Sequence, residues 1–488
     1  MRIDEKYPQM GVQYPEKVLQ IGEGNFLRAF SDWMIELANR DGRFEGSVIL
    51  CQPIEQGLAK LLNEQKCKYT VVMRGMENDN AVEKSERIDC CSRAISPYAD
   101  YDAFLRIARS KDLKVIISNT TEAGIAYHEG DQLSDHPPVS YPAKLAAFLY
   151  ERYTHFSGAS DAGVLVLPVE LIDDNGHVLK KIILRYAEEW KLEAEFMQWV
   201  EHDCAIASTL VDRIVTGYPR DEIEQFTEKL AYTDNCLVTC ELFDLWVIEA
   251  DKKWAEVFPI GGGEANVVWT DDAAPYKKRK VRILNGAHTS TVLGAYLAGH
   301  DIVLDMMNDE VFSTFMKGLL FEEVIPTIDL PKQDLIDFAA AVDSRFRNPY
   351  IKHKLLDISL NSCSKFRARC LPSLLDSAKM TGNKLPARLS ASVACLIRFY
   401  KGEKTSEGYI GKRENGEPYQ IRDDASVIDA FEAAWKADDN ESVVQSILSN
   451  PELWGEDLTK VEGLKAAVVE ALNTIKNKGV SACVKALE

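Results

Sequence analysis

Lys280, Asn285 and His288 place an amine, an amide and an imidazole at i, i+5 and i+8 of one stretch, Lys280-Val281-Arg282-Ile283-Leu284-Asn285-Gly286-Ala287-His288, ahead of a long helix-forming run. At about 100° per residue on an α-helix, Asn285 and His288 fall about 140° and about 80° round from Lys280. The three side chains can then look into one cleft, with Asn285 and His288 one turn apart. Such a set can move a proton off an alcohol. A lysine acts as base when burial lowers its pKa, while the amide and imidazole hydrogen-bond the oxygen as its charge changes. The small residues Gly286, Ala287, Thr289 and Ser290 leave room for a substrate. The competing reading is structural: Lys280 ends the basic run Lys277-Lys278-Arg279-Lys280 on a solvated surface, and His288 is a satisfied core histidine.

The elements that must position these groups fall into two kinds. Over about the first 250 residues, short apolar runs alternate with helix-period runs, a pattern that predicts a parallel sheet covered by helices on both faces. The strands are read at 18–21, 47–52, 69–73, 114–118 and 163–168, and the helices at 25–39, 56–65, 101–110, 142–153 and 178–200. A turn-rich passage follows, with Gly261-Gly262-Gly263 and Asp271-Asp272-Ala273-Ala274-Pro275, as expected of an inter-domain connection. Beyond it the periodicity is mostly helical, at 291–298, 309–321, 334–346, 390–400, 427–437 and 457–475, with 409–419 reading as an exposed loop. The division is therefore expected between 1–278, α/β, and 279–488, mainly α-helical.

Gly22-Glu23-Gly24-Asn25-Phe26-Leu27 follows the first strand and opens a helix. Glycines there let backbone amides approach a pyrophosphate, so the loop reads as dinucleotide-binding, although Leu27 replaces the third glycine of the usual fingerprint. The carboxylate expected at the end of the second strand to hold a ribose is absent. Gln52 stands in its place, with Glu55 just beyond.

A formal net charge of −19 argues against a nucleic-acid or anionic-membrane partner, so an anionic substrate needs a local cationic pocket. Met1-Arg2-Ile3-Asp4-Glu5-Lys6 lacks the apolar core of a signal peptide, and no apolar run approaches a membrane span, which predicts a cytoplasmic protein. The eleven cysteines follow no framework spacing and read as reduced, buried thiols. Without Cys-x-x-Cys, His-Glu-x-x-His or paired histidines at ligand spacing, no metal is expected.

Several of these motifs coincide in one family. The chain resembles the polyol-specific long-chain dehydrogenases, the mannitol dehydrogenase family. The resemblance rests on Gly22, Gly24, Phe26, Arg28 and Ala29, on Thr121-Glu122-Ala123-Gly124, Asp174-Asn175-Gly176 and Val211-Asp212-Arg213-Ile214, on the Lys280, Asn285, His288 set, and on Asn348-Pro349 followed by Ser364-Lys365. It implies a Rossmann-type N-terminal domain, a helical C-terminal domain and an active site between them. It also implies metal-free, NAD(P)-dependent chemistry at a secondary alcohol, with NAD preferred because Gln52-Pro53-Ile54-Glu55 carries no base for a 2′-phosphate. By the same resemblance Lys280 is the general base, and Asn285 and His288 polarise the oxygen. Lys365 contacts substrate, and Asp212, with Asn25, Thr121 and Glu122, lines the nucleotide site.

Sugar-alcohol members carry Asp-Asn where this chain has Glu170-Leu171, which removes a polar contact and looks most like the members that handle sugar acids. Lys365, Arg367 and Arg369 then offer cations for a carboxylate. The expected partner is a small sugar-acid substrate, with no obligate protein partner. The rivals are another keto-uronate or a neutral polyol as substrate, an epimerase that keeps NAD bound, and a non-catalytic nucleotide sensor.

Overall fold

Runs such as Val18-Leu19-Gln20-Ile21 and Val115-Ile116-Ile117-Ser118 carry almost no polar alternation, and they form strands buried on both faces. The computed structural model describes residues 1–8, 14–121, 123–380, 382 and 384–487. These fall into two units, Met1–Arg74 with Val82–Ala273, and Gly75–Ala81 with Ala274–Glu488. The break thus lies at Ala273, ahead of the 278/279 read from the sequence. The helix Ala274–Arg279 runs straight into the turn that carries Lys280, so the two cannot be parted.

In chain order the strands of the first unit, one hairpin of which has its tip Gly75–Ala81 in the second, are β1 (Glu16–Ile21), β2 (Ser47–Cys51), β3 (Tyr69–Glu77), β4 (Asn80–Ile88), β5 (Cys91–Ile95), β6 (Val115–Ser118), β7 (Leu165–Pro168) and β8 (Ala205–Ile206). They continue with β9 (Ser208–Val211), β10 (Val215–Gly217), β11 (Val238–Glu241), β12 (Trp246–Glu249) and β13 (Val267–Thr270). Six form one parallel sheet in the order β5-β2-β1-β6-β7-β8. That is the doubly wound, Rossmann-type order, in which the chain reverses direction across the sheet between β1 and β6. Successive residues feed opposite faces: Val18, Leu50, Ile117 and Leu167 enter one apolar core, and Leu19, Ile49, Ile116 and Val166 the other. Two further sheets, β10-β11-β3-β4 and β13-β12-β9, complete the strand pairing of this unit.

Several elements depart from the periodicity reading. The helix expected at 25–39 is one turn, Asn25–Arg28, then Ser31–Arg40, interrupted at Phe30 with φ −126° and ψ −84°. The one expected at 178–200 is two, Asn175–Glu189 and Ala194–His202, separated after Lys191, whose φ is 56°. The linker passage contains β13. Most instructive is 409–419, expected as an exposed loop. It lies within a three-stranded antiparallel sheet, β14 (Gly402–Thr405), β15 (Gly408–Lys412) and β16 (Pro418–Ile421). Tyr409 and Tyr419 are buried there, and their hydroxyls donate to the carbonyls of Tyr400 at 3.0 Å and Phe399 at 2.7 Å.

The rest of the second unit is helical. Its centre is Gly286–Ala298, buried almost all round, against which Ala387–Phe399, Ser362–Arg369 and Val480–Lys485 pack. All eleven cysteines are buried free thiols. Among the described residues no helix is long and apolar enough to cross a membrane.

Candidate active site

In the first unit the loop after β1 sits at the strand reversal. Gly22 has φ +127°, and a Cβ there would stand 2.8 Å from the Asn119 carbonyl oxygen at the end of β6, so only glycine fits. Around Gly24 a Cβ would meet nothing within 4 Å, so the cradle is open on that side. Arg28, fully buried, holds the loop in shape: it donates to the Glu23 carbonyl at 3.0 Å, to Asn25 Oδ1 at 2.8 Å and to the Cys236 carbonyl. Phe26 stacks on Phe30 at 4.9 Å and belongs to the packing.

Gln52, expected beside a ribose, is committed elsewhere. Its Nε2 donates to the carbonyls of Ile54 at 2.9 Å and Glu55 at 2.8 Å, and its Oε1 accepts from Ala59 N at 3.2 Å. It shapes the loop after β2. Glu170 is buried at the end of β7 and accepts from Ser118 Oγ at 3.1 Å and from Thr120 N and Oγ1, both at 2.9 Å. It anchors the end of β6, while Leu171 is 66% exposed. Thr121, next along, is a β-branched residue at φ +76°, a strained conformation of the kind that clusters at functional sites. Glu122 lies outside the described residues. Asp212 is buried just after β9, with its N–H donating to the Leu245 carbonyl at 2.9 Å. Its neighbour Arg213 is a fastener: it donates to the Ala29 carbonyl at 2.9 Å and lies over the Trp33 ring at 4.3 Å.

In the second unit Lys280–Asn285 is a π-helical turn that continues directly into Gly286–Ala298. Gly286 N–H donates to the Val281 carbonyl, five residues back. That bond pattern sets a residue nearly above the one five before it, so Lys280 and Asn285 share a face. The wheel drawn at α-helical pitch separates them by about 140°. The turn is clamped from behind: Arg282 pairs with Asp376 at 2.8 Å and donates to Thr327 Oγ1 at 3.0 Å. It packs on the helices Lys332–Phe346 and Ser362–Arg369.

His288 follows one turn later. Phe346 lies flat on its ring, centroids 4.0 Å apart at 3°, and His353 meets it at 5.3 Å and 89°. The residue is half-buried, but Nε2 is enclosed and has no hydrogen-bond partner among the described residues. A buried ring nitrogen left this way calls for a ligand. Burial first, then the charges of His353, Arg345, Arg369 and Lys365, hold its pKa well below the usual histidine value, so the ring is neutral.

Lys365 and Arg369 are four apart on Ser362–Arg369 and share a face, whereas Arg367 lies about 200° from Lys365. Arg367 is accordingly turned away, against Gly455, where a Cβ would stand 2.7 Å from its guanidinium. Lys365 Nζ donates to the Ile358 carbonyl at 3.0 Å, and burial, reinforced by Arg369, lowers its pKa. Arg369 donates to Thr289 Oγ1 at 3.3 Å and, among the described residues, has no carboxylate partner. Burial pulls its pKa down as well. The sequence reading missed Arg345, Phe346 and His353. The signal available was their place on either side of Asn348-Pro349, which the resemblance had already marked.

A doubly wound sheet with a glycine cradle at its strand reversal, joined in one chain to a helical unit bearing Lys280, Asn285 and His288, defines a dehydrogenase of the long-chain, two-domain kind. The chain belongs to the mannitol dehydrogenase family: residues 16–260 match its Rossmann domain and residues 272–476 its C-terminal domain. It is 45% identical over 483 residues to altronate oxidoreductase of Escherichia coli O7:K1 (strain IAI39 / ExPEC), covering 98% of each chain, and equally so to altronate oxidoreductase of Shigella flexneri. Its fold is like that of D-sorbitol dehydrogenase in substrate-free form, with TM-score 0.78 and 19% identity over 96% of this chain and 95% of that one. It is also like that of the Pseudomonas fluorescens mannitol 2-dehydrogenase ternary complex with NAD and D-mannitol, with TM-score 0.65 and 22% identity over 97% and 94%.

Proposed function

We propose that this protein interconverts tagaturonate and altronate, with NAD(H) as hydride carrier, in the breakdown of hexuronates. The observation that carries an anionic substrate is Arg369, half-buried beside Lys365 and His288 and, among the described residues, without a carboxylate of its own. A guanidinium so placed is completed by a substrate carboxylate. The likeness to altronate oxidoreductases along the full chain supports the same substrate pair.

The glycine cradle fits a dinucleotide, with Gly22, Gly24 and Asn25 along the loop and Thr121 and Asp212 as further contacts. When bound, the nicotinamide supplies or accepts the hydride. In reduction the carbonyl π pair moves onto oxygen as the carbon takes the hydride, and the ammonium of Lys280 gives its proton to that oxygen. Asn285 and the neutral His288 donate to the oxygen as negative charge develops on it. In oxidation Lys280, deprotonated, takes the hydroxyl proton. The eleven buried thiols suit a reducing compartment, the cytoplasm.

The test is an NADH-oxidation screen of tagaturonate, fructuronate, fructose and tagatose. Tagaturonate is expected to give the highest kcat/KM, and Arg369→Met to raise its KM by about 10-fold or more, the cost of a lost charge-assisted bond. Equal efficiency with a neutral ketose would reject the sugar-acid reading. The cradle carries its own expectation. Gly22→Ala, forced to φ +127° against Asn119, should weaken NADH binding at least about tenfold and destabilise the protein by about 1–3 kcal/mol. Fluorescence titration with NADH and a denaturant melt read the two effects.

A further inference from the structure

The tagaturonate reading gives the substrate carboxylate one partner, Arg369, and a second imidazole stands beside the ring that serves the reacting oxygen. His353 is half-buried, its ring centroid 5.3 Å from that of His288. In a 5-carbon span from ketone to carboxylate, four C–C bonds of about 1.5 Å at tetrahedral angles reach about 5 Å when extended. The separation of the two rings is thus of the same order as the distance from ketone to carboxylate in such a substrate.

Charge points the same way. The groups facing this pair are Arg345 from Lys332–Phe346, Asp357 from Leu355–Ile358, and Lys365 and Arg369 from Ser362–Arg369. The acidic groups that act on His353 and Lys365 among the described residues are already engaged. Asp357 is paired with Arg422 at 3.5 Å, and Asp423, which acts on Lys365, accepts from the Tyr400 hydroxyl. Lys365 and Arg369 thus bring positive charge to the same pair of imidazoles. Burial and then Lys365, against Asp357, keep the pKa of His353 below its ordinary value, so it meets a ligand as a neutral N–H donor.

We propose that His353, with Arg369, receives the carboxylate of the sugar-acid substrate and is a specificity-determining residue of this enzyme. The inference rests on the tagaturonate/altronate reading, and it adds to that reading a residue that marks the carboxylate end of the site. His288 and His353 then divide the substrate between them, one ring at the oxygen that changes oxidation state and the other at the end that never does.

Calorimetry with NADH-loaded protein tests it, using altronate and altritol, which differ only in carboxylate against CH2OH and cannot turn over with NADH. Wild type is expected to bind altronate at least tenfold more tightly than altritol. His353→Leu should weaken altronate by about tenfold or more and leave altritol within about twofold, and His353→Gln, which keeps an N–H donor, should recover part of the loss. Equal losses for both ligands would make His353 a packing support for His288 and overturn the proposal. So would unchanged altronate binding in a variant with a normal thermal melt. A wild type that does not distinguish altronate from altritol would instead reject the substrate reading on which the inference stands.

Discussion

Lys280→Ala is expected to lower turnover by about 10²–10⁴-fold while leaving NADH affinity nearly unchanged, the range for removal of a general acid–base group. The π turn supports a functional rather than a solvated lysine, since it sets Lys280 over Asn285 and is clamped through Arg282 to Asp376 and Thr327. The pH dependence gives the second readout. Oxidation needs the free amine, so its rate rises with pH through the lysine's ionisation. Reduction needs the ammonium, so its rate falls through the same ionisation. Both inflections should vanish in Lys280→Ala. Near-normal turnover in the variant would remove Lys280 from the mechanism, and lost cofactor binding would mark damage to the fold.

His288→Ala is expected to cost about 10²–10³-fold in kcat, the effect of deleting one donor to a developing oxyanion. Its Nε2 is enclosed and unpartnered among the described residues, and Phe346 at 4.0 Å fixes the ring plane, so little else can take its place. Because burial and four neighbouring cationic or imidazole groups keep the ring neutral, His288 does not supply the ionisation seen in the rate profile. The inflection assigned to Lys280 should therefore persist in His288→Ala at the lower rate. Neutrality also links His288 to stability. Its folded pKa lies below the unfolded value of about 6.5, so its contribution is full above that pH and lost as pH falls below it. A pH profile of the variant that loses its inflection would reassign the titrating group.

How much of this was legible in the sequence differs by element. The doubly wound sheet was, because β1, β2, β6 and β7 are buried on both faces and so carry almost unbroken apolar runs. β4 was not. Asn80-Ala81-Val82-Glu83-Lys84-Ser85-Glu86-Arg87-Ile88 is charged and mostly exposed, and its strand character comes from pairing with β3. In 409–419 the glycines and charges hid two buried tyrosines whose alternation was the better guide. At the site, residue types and spacing pointed to Lys280, Asn285 and His288, but a change of helical hydrogen-bond register has no compositional mark, so the π turn stayed hidden. Gln52 stood in the position where a ribose ligand is expected, and only its three hydrogen bonds show that it is already spoken for. Arg367 looked equivalent to its neighbours in a basic cluster until helical phase separated it from Lys365.

The π turn has one more consequence, in phase. A residue's worth of extra winding rotates everything before it by about 100° relative to an uninterrupted α-helix. The segment Ala274–Arg279 and the buried helix Gly286–Ala298 therefore answer to different azimuths, although the backbone passes between them without a break. Each can choose the face it buries independently, and the lysine stands at the joint. A point substitution changes a side chain at a fixed azimuth and leaves this offset alone. Only a change in the number of residues alters it, so in this stretch chain length is itself a parameter of the chemistry.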